Sequence, residues 1–235
     1  MTQSIKTKPA AGSLAEQAHA HLQWEMSKHR LPMLSFVELL PTQPAKTQEQ
    51  QGMSQSLEEL AKLAAECRAC PLHKGRTKSV FARGDDKADL LFVGEGPGYY
   101  EDQQGLPFVG KAGQLLDRMI NAMRYEPKQV YICNVVKCRP PENRTPLPDE
   151  SAACLHFLEA QIRAVQPKAI VALGRCAAQA LGAVPESGSG WRGRWSQWQG
   201  IDMIATYHPA YLLRNPEHKR IVWQDLQQVM TRLGK

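Results

Sequence analysis

Polar residues that could do chemistry follow three short apolar runs of this sequence. The first run ends in a glycine-rich turn that carries Glu95, the second contains Asn134, and the third precedes His208. A carboxylate, an amide and an imidazole can bind and orient a polar ligand and can move protons to or from it. These three residues are therefore the first candidates for a functional site.

Cysteines form the second candidate site. Cys67 and Cys70 make a C-x2-C pair, while Cys138 and Cys154 flank a proline-rich loop and the helix predicted after it. Four thiolates suit either a zinc ion or an iron–sulfur cluster, and the spacing alone does not choose between the two. The alternative is a set of buried, inert thiols. No ligation is expected from the other two cysteines, which are Cys133 and Cys176.

The turn at residues 94–98 reads Gly-Glu-Gly-Pro-Gly and suggests a backbone that approaches a ligand closely, with Gly96 at its centre. A dinucleotide site fits poorly, because Pro97 interrupts the G-x-G-x-x-G pattern and a long loop is expected before the next helix. A purely structural tight turn is the remaining alternative. In the expected loop, Phe108 lies between proline and glycine residues and could either anchor the core or face the ligand.

Strand and helix patterns alternate along the chain. Short apolar runs predict four strands, at residues 89–94, 130–137, 169–173 and 201–206. Amphipathic segments predict helices that begin near residues 56, 112, 149, 175 and 216. The alternation predicts a three-layer α/β/α fold with a mainly parallel four-stranded sheet, because parallel strands need crossover connections that are usually helical. Such sheets bind ligands at the carboxyl ends of their strands, where the polar candidates fall.

Residues 1–55 differ in composition from the rest of the chain. They are rich in Gln, Ala, Lys, Thr and Pro, which predicts a largely mobile extension. Within it, residues 31–40 are apolar enough to dock on the core or on a partner protein. Order is expected to begin at Ser56, because Ser56-Leu-Glu-Glu59 has the form of a capping box. Residues 56–235 are therefore predicted to form one domain.

Charge and hydropathy limit the classes of partner. The formal net charge is +6 and the isoelectric point is near 9.0, which favours an anionic partner such as nucleic acid without requiring one. The sequence has no apolar stretch long enough to span a bilayer and no secretory signal pattern. We therefore expect a cytoplasmic protein that does not contact a membrane.

Several motifs together resemble the family 4 uracil-DNA glycosylases. They are Gly94-Glu-Gly-Pro-Gly98 with Glu101-Asp102, Pro107-Phe-Val-Gly-Lys-Ala-Gly113, Ile132-Cys-Asn-Val-Val-Lys-Cys-Arg-Pro140 and His208-Pro-Ala-Tyr-Leu-Leu-Arg214. The resemblance runs from about residue 57 to the C-terminus, keeps the motif order and includes the four-cysteine pattern. It implies a structural [4Fe-4S] cluster, with ligands Cys67, Cys70, Cys138 and Cys154.

The resemblance also implies how a uracil flipped out of DNA is bound. Phe108 would stack on the base, and the Asn134 amide would pair with uracil O4 and N3–H, a polarity that cytosine reverses. Gly96 would let the backbone approach the base, and Glu101 would line the pocket near C5, where thymine carries its methyl group. His208 would donate to uracil O2 and so stabilise the departing base.

Cleavage needs water at C1′ of the sugar and a way to hold the DNA open. Glu95 is the leading candidate to position or activate the water, with Asp102 and Asn143 as assistants. By resemblance, a wedge fills the gap left by the flipped nucleotide, and its residues are Tyr211, Leu212, Leu213 and Arg214. Without the resemblance, Leu212 and Leu213 would instead be interpreted as the first turn of a helix that packs on the core. Nearby cations that would meet phosphates are Lys137, Arg139, Arg144, Arg192, Arg194 and Arg214, although a solvated surface charge is the more common explanation for any one of them.

The predicted activity is that of a monomeric, monofunctional glycosylase acting on uracil-containing DNA. It would hydrolyse the N-glycosidic bond of uracil and leave an abasic site for base excision repair. Residues 139–148 lack the basic, histidine-containing insertion of related glycosylases that trap DNA covalently, which favours hydrolytic turnover. Two alternatives stay open: a non-catalytic module that binds uracil or DNA, and an iron–sulfur redox protein.

Overall fold

The computed structural model describes residues 56–185 and 187–235 and is built around one sheet. Its strands are β1 Ala82–Gly84, β2 Leu90–Gly94, β3 Tyr131–Asn134, β4 Ala169–Leu173, β5 Trp195–Trp198 and β6 Ile201–Thr206. They lie in the order β1-β3-β2-β4-β6-β5. The predicted extension, with its apolar segment 31–40, lies outside the described residues.

The four central strands confirm the predicted parallel sheet. β2 pairs in parallel with β3 on one side and with β4 on the other, and β4 pairs in parallel with β6. Two short edge strands extend the sheet, because β1 is antiparallel to β3 and β5 is antiparallel to β6. Neither edge is predictable from an apolar run, since each has only three or four residues and most of them are half-buried or exposed.

Helices connect the strands. They are α1 Leu57–Glu66, α2 Tyr99–Gln104, α3 Lys111–Ala122, α4 Pro148–Val165, α5 Arg175–Ala180, α6 Pro209–Arg214 and α7 Lys219–Arg232. α1 begins at the predicted capping box, in which the Ser56 hydroxyl accepts from the Glu59 N–H and the Glu59 carboxylate accepts from the Ser56 N–H. Among the described residues, no helix has both the length and the apolar character needed to cross a bilayer.

Successive residues of the central strands point to opposite faces of the sheet. Leu91 and Val93 of β2 pack in one apolar cluster, whereas Leu90 and Phe92 pack in the other. Buried residues of α1, α4 and α5 belong to the first cluster, and those of α3, α6 and α7 belong to the second. Helices therefore cover both faces, which confirms the three-layer α/β/α prediction.

The expected long loop between β2 and α3 contains the short helix α2. Its first turn carries Glu101 and Asp102, whose negative charges favour the positive end of a helix. Gly105 ends it in a left-handed conformation, at φ 80°, and donates its N–H to the Glu101 carbonyl. The prediction of an uninterrupted loop was wrong, because a helix of six residues is too short to show a clear apolar period.

Candidate active site

A pocket of about 670 Å³ opens at the carboxyl ends of the parallel strands. The strand order reverses between β2 and β4, and such a reversal is where open α/β sheets commonly bind ligands. The pocket brings together most of the predicted site residues, namely Glu95, Gly96, Glu101, Phe108, Asn134, Asn143, His208, Tyr211 and Arg214. Residues far apart in the sequence therefore share one site.

Asn134 is the last residue of β3 and is only 1% exposed. Its side-chain Oδ1 is buried and has no hydrogen-bond partner among the described residues. An unpaired buried acceptor costs about 1 to 3 kcal/mol, so this oxygen is prepared to accept from a ligand. Gly94 makes the placement possible, since a Cβ at that position would lie 2.3 Å from Oδ1.

The Phe108 ring forms a wall beside the Asn134 amide. A Cβ on Gly94 would lie 2.5 Å from Phe108 Cζ, so the ring and the amide flank the same glycine. The ring also stacks on His208, with centroids 5.5 Å apart and planes inclined by 30°. The Phe108 backbone has φ 56°, a conformation that is unfavourable for a bulky residue and that persists only where surrounding contacts hold it. Phe108 therefore serves the pocket as well as the core.

Two side chains hold the Phe108 backbone in that conformation. Oε1 of Glu101 accepts from the N–H groups of the two residues after Phe108, each at 2.9 Å. Nε of Arg83 donates to the Pro107 carbonyl, also at 2.9 Å. The Glu101 carboxylate thus lines the pocket and fixes its aromatic wall.

His208 caps the N-terminus of α6. Its Nδ1 accepts from the Ala210 N–H at 3.1 Å, which leaves the ring proton on Nε2. Burial and the nearby Arg214 guanidinium lower the pKa of His208 from an ordinary 6.5 to about 4. At neutral pH the ring is therefore an uncharged donor.

Glu95 directly follows β2 and is half-buried in the pocket. Burial raises the pKa of its carboxyl group, and a hydrogen bond with the Thr145 side chain opposes that rise. A carboxylate with a raised pKa is a stronger base, which suits it to take a proton from water. Asn143 lines the same pocket from an exposed position, where its Oδ1 accepts from Arg139 Nε at 2.8 Å.

Asp102 is not among the described residues that line the pocket. It is 1% exposed, and its Oδ1 accepts from the Thr77 N–H at 2.8 Å. The neighbouring Gln103 donates to the Thr77 hydroxyl at 2.9 Å. These bonds tie α2 to the segment before β1, so the structure gives Asp102 a supporting position rather than a place beside Glu95.

The four predicted wedge residues divide between the core and the surface. Leu212 is 1% exposed and packs in the apolar cluster of α3 and α7, so its burial conflicts with a wedge role. Leu213 is 44% exposed, and Tyr211 and Arg214 line the pocket. Of the two leucines, Leu213 is the one whose side chain can meet DNA.

Three of the cations predicted near phosphates have polar or charged partners within the protein. Lys137 is 1% exposed, and its ammonium forms hydrogen bonds within the core. Lys137 therefore cannot contact a phosphate, and that prediction was wrong because the apolar run before it continues into the core. Two arginines form ion pairs with buried carboxylates, Arg144 with Glu150 and Arg192 with Asp225.

The four predicted metal ligands line one small cavity, formed by the end of α1, the segment after β3, and α4. Three of the four sulfur atoms accept N–H groups at distances between 3.0 and 3.5 Å. The shortest of these bonds runs from Arg76 Nη1 to Cys138 Sγ. Donors of this kind stabilise the negative charge of metal-bound thiolates. The lining cysteines are Cys67, Cys70, Cys138 and Cys154.

Burial affects two of these four thiols. It raises the pKa of Cys138 and brings that of Cys154 to about 11. Within residues 56–185 and 187–235, no three His, Cys, Asp or Glu side chains converge closely enough to hold a metal ion. By number and type of donor, the four cysteines nevertheless fit either zinc or an iron–sulfur cluster, which would bind with release of the thiol protons.

The pocket also contains residues that no sequence motif indicated. Trp191 and Tyr207 add aromatic surface, with ring centroids 5.9 Å apart in an edge contact. Arg175 adds a cation at the start of α5, and Thr145 contacts the Glu95 carboxylate. A signal existed for Tyr207, which lies between the last predicted strand and His208. Trp191 lies in a Gly- and Trp-rich segment without a clear period.

Sequence comparisons place the chain in a known family. The profile of the uracil DNA glycosylase superfamily matches residues 81–227. The chain belongs to this superfamily. The matched residues contain all six strands and the main part of the pocket, so the superfamily assignment and the site concern the same part of the chain.

Curated relatives within the superfamily agree with the motif resemblance. A type-4 uracil-DNA glycosylase of Thermotoga maritima is 46% identical over 186 residues, which is 76% of this chain and 97% of the relative. A type-4 uracil-DNA glycosylase of Archaeoglobus fulgidus is 39% identical over 196 residues, or 77% and 95%. A type-5 uracil-DNA glycosylase of Pyrobaculum aerophilum is 36% identical over 186 residues, or 69% and 80%. The resemblance to family 4 is thereby confirmed.

Proposed function

We propose that this protein is a monofunctional uracil-DNA glycosylase, which hydrolyses the N-glycosidic bond of a flipped uracil and leaves an abasic site in DNA. The observation that carries the proposal is the buried Oδ1 of Asn134, which has no partner within the described part of the chain and lies beside the Phe108 ring and the uncharged His208. N3–H of uracil would donate to that oxygen, and O4 of uracil would accept from the amide nitrogen. In cytosine the same two positions are an acceptor and a donor instead. The Asn134 amide would therefore select uracil.

Departure of the base needs a donor, because the broken bond leaves negative charge on uracil. Nε2–H of His208 would donate to O2, and an uncharged imidazole can do so without losing its proton. The stack between His208 and Phe108 would keep the imidazole beside the base that Phe108 contacts. His208 would thus stabilise the departing base as a hydrogen-bond donor.

Hydrolysis also needs a water molecule aimed at C1′. Glu95 would orient this water and accept its proton, since its carboxyl lines the pocket and burial raises its pKa. Asn143 is the second candidate to contact the water or the sugar. Asp102 would act only indirectly, through the position of α2.

Cys67, Cys70, Cys138 and Cys154 would hold a [4Fe-4S] cluster. When bound, the cluster supplies a rigid crosslink rather than redox chemistry, tying α1 and α4 to the segment that follows β3. A readout independent of DNA is the visible absorption and iron content of protein purified without air. Cys138→Ala should lose both, whereas Cys176→Ala should keep both because Cys176 lies outside the cysteine cavity.

DNA would approach over the mouth of the pocket, with Leu213 beside the flipped nucleotide and Tyr211 and Arg214 at the pocket wall. We further propose that the protein acts as a monomer in the cytoplasm. A protein partner bound through residues 31–40 stays a prediction from sequence.

The test is alkali-revealed strand cleavage of a labelled oligonucleotide that holds a single uracil. Wild-type protein should produce abasic sites, while His208→Ala should slow their formation by about 10²-fold or more, the typical effect of removing one such donor. The same oligonucleotide with thymine in place of uracil is the matched control.

Binding measured in parallel separates the competing functions. Tight, uracil-selective binding without cleavage would favour a non-catalytic module. Reversible reduction of the cluster with indifference to uracil would favour a redox protein. Either result would contradict the glycosylase proposal.

A further inference from the structure

Lys137 is a fully buried lysine that the chemistry above does not use. It is 1% exposed and lies between Asn134, which ends β3, and Cys138. Burial of an ammonium group is costly unless the charge is paired and hydrogen-bonded. Among the described residues, no carboxylate forms an ion pair with it. Hydrogen bonds therefore hold this side chain in place.

The Lys137 ammonium makes two short hydrogen bonds. It donates to the main-chain carbonyl of Asn134 at 2.6 Å and to Oε1 of Gln161 at 2.5 Å. Gln161 is itself fixed, because its Nε2 donates to the Phe81 carbonyl and to the Tyr131 hydroxyl, each at 3.1 Å. The ammonium therefore links α4 to the backbone of the residue that ends in the pocket.

Lys137 also touches the four-cysteine cavity. Its main-chain N–H donates to Cys154 Sγ at 3.4 Å, its neighbour in the sequence is Cys138, and Lys137 is part of the cavity wall. The Lys137 main chain thus contacts the cysteine site, while its side chain contacts the main chain of Asn134, whose own side chain lines the pocket.

We propose that Lys137 is a positioning residue that holds the main chain of Asn134 and thereby sets its uracil-reading amide. The inference rests on the proposed function. Holding the Asn134 carbonyl fixes the backbone from which the amide projects, so Oδ1 is set in the pocket before the base arrives. Preorganisation of this kind favours the ligand that matches the fixed donor and acceptor over ligands that do not.

The test compares two substitutions that remove hydrogen bonds of the Lys137 side chain. Lys137→Met removes the bond to Asn134 and keeps most of the side-chain volume. Gln161→Leu removes the other acceptor and leaves the bond to Asn134 in place, so it is matched for loss of a buried hydrogen bond. Lys168→Met, at an exposed ion pair, controls for loss of one positive charge.

Three readouts are taken for each variant. The first is the affinity for an oligonucleotide with 2′-fluoro-2′-deoxyuridine, which resists cleavage, relative to the same oligonucleotide with thymidine. The second is kcat and KM for uracil excision, and the third is the visible absorption of the protein. Lys137→Met should lower the uracil-to-thymine selectivity of binding by about ten-fold, the size expected for one lost hydrogen bond to a charged donor. Gln161→Leu and Lys168→Met should keep the selectivity.

Unchanged selectivity in Lys137→Met would overturn the inference, as would an equal loss in Gln161→Leu. If Lys137→Met does not fold, Lys137→Gln decides, because its shorter side chain keeps a polar end inside the core but ends short of the Asn134 carbonyl. Loss of selectivity in Lys137→Gln with visible absorption retained supports the inference, and wild-type selectivity overturns it. A wild-type protein that excises no uracil would instead refute the proposed function.

Discussion

The uncharged state of His208 predicts a specific dependence of stability on pH. The pKa of His208 falls from 6.5 to about 4 in the folded chain. In the unfolded chain the imidazole recovers its ordinary pKa, so between these pH values it binds a proton that the folded protein does not bind. The free energy of unfolding should therefore decrease as pH falls from about 6.5 to about 4 and should show no contribution from His208 above that range.

The size of this effect follows from the two pKa values. A change from 6.5 to about 4 corresponds to about 3 kcal/mol, at 1.36 kcal/mol for each tenfold change in proton affinity. Partial access of solvent to the ring makes this figure an upper limit. The matched variant is His208→Asn, because asparagine can accept the same capping hydrogen bond from Ala210 but does not titrate.

Urea unfolding of both proteins, followed by tryptophan fluorescence at a series of pH values, measures the difference. The stability of the wild type relative to His208→Asn should drop by up to about 3 kcal/mol between pH 7 and pH 4, since all other groups titrate alike in both proteins. Parallel curves over that range would refute the conclusion that His208 is held uncharged.

Three further substitutions test the pocket. Asn134→Ala should lower kcat/KM for uracil excision by about 10²-fold or more, because two hydrogen bonds that identify the base are lost; near-normal kinetics would contradict its role. Phe108→Ala should weaken binding of DNA with a non-cleavable uracil by about 1 to 3 kcal/mol, the value of one base–aromatic stack, as measured by fluorescence anisotropy. Gly94→Ala should abolish that binding, since its Cβ would lie 2.3 Å from Asn134 Oδ1, whereas Gly75→Ala, with nothing within 4 Å, should bind normally.

The central sheet could be predicted because its strands are buried on both faces. β4 and β6 were predicted with the bounds that the structure gives them, since β4 is a continuous apolar run and β6 is a mainly apolar one. β1 and β5 were missed, because pairing with β3 and β6 rather than any strong pattern of their own makes them strands. α2 was missed for a similar reason, since it depends on Gly105 and on a buried carboxylate at Asp102.

Motifs indicated which residues form the site, but not what each side chain touches. The polar residues after the strands converge because parallel strands end at one edge of the sheet. Leu212 and Leu213 are adjacent and chemically identical, yet one is in the core and the other is exposed, and no local pattern could have separated them. Lys137 reads as a DNA-binding cation in the sequence, whereas its hydrogen bonds to Asn134 and Gln161 depend on tertiary packing.

The most direct test of the glycosylase proposal is the release of free base from DNA under single-turnover conditions. Duplex and single-stranded oligonucleotides that carry one labelled uracil, cytosine or thymine are incubated with excess protein purified without air, and the released base is separated by chromatography. The account predicts release of uracil, matched one-to-one by abasic sites, and no release of cytosine or thymine. Intact uracil-DNA that stays bound to the folded protein would contradict it.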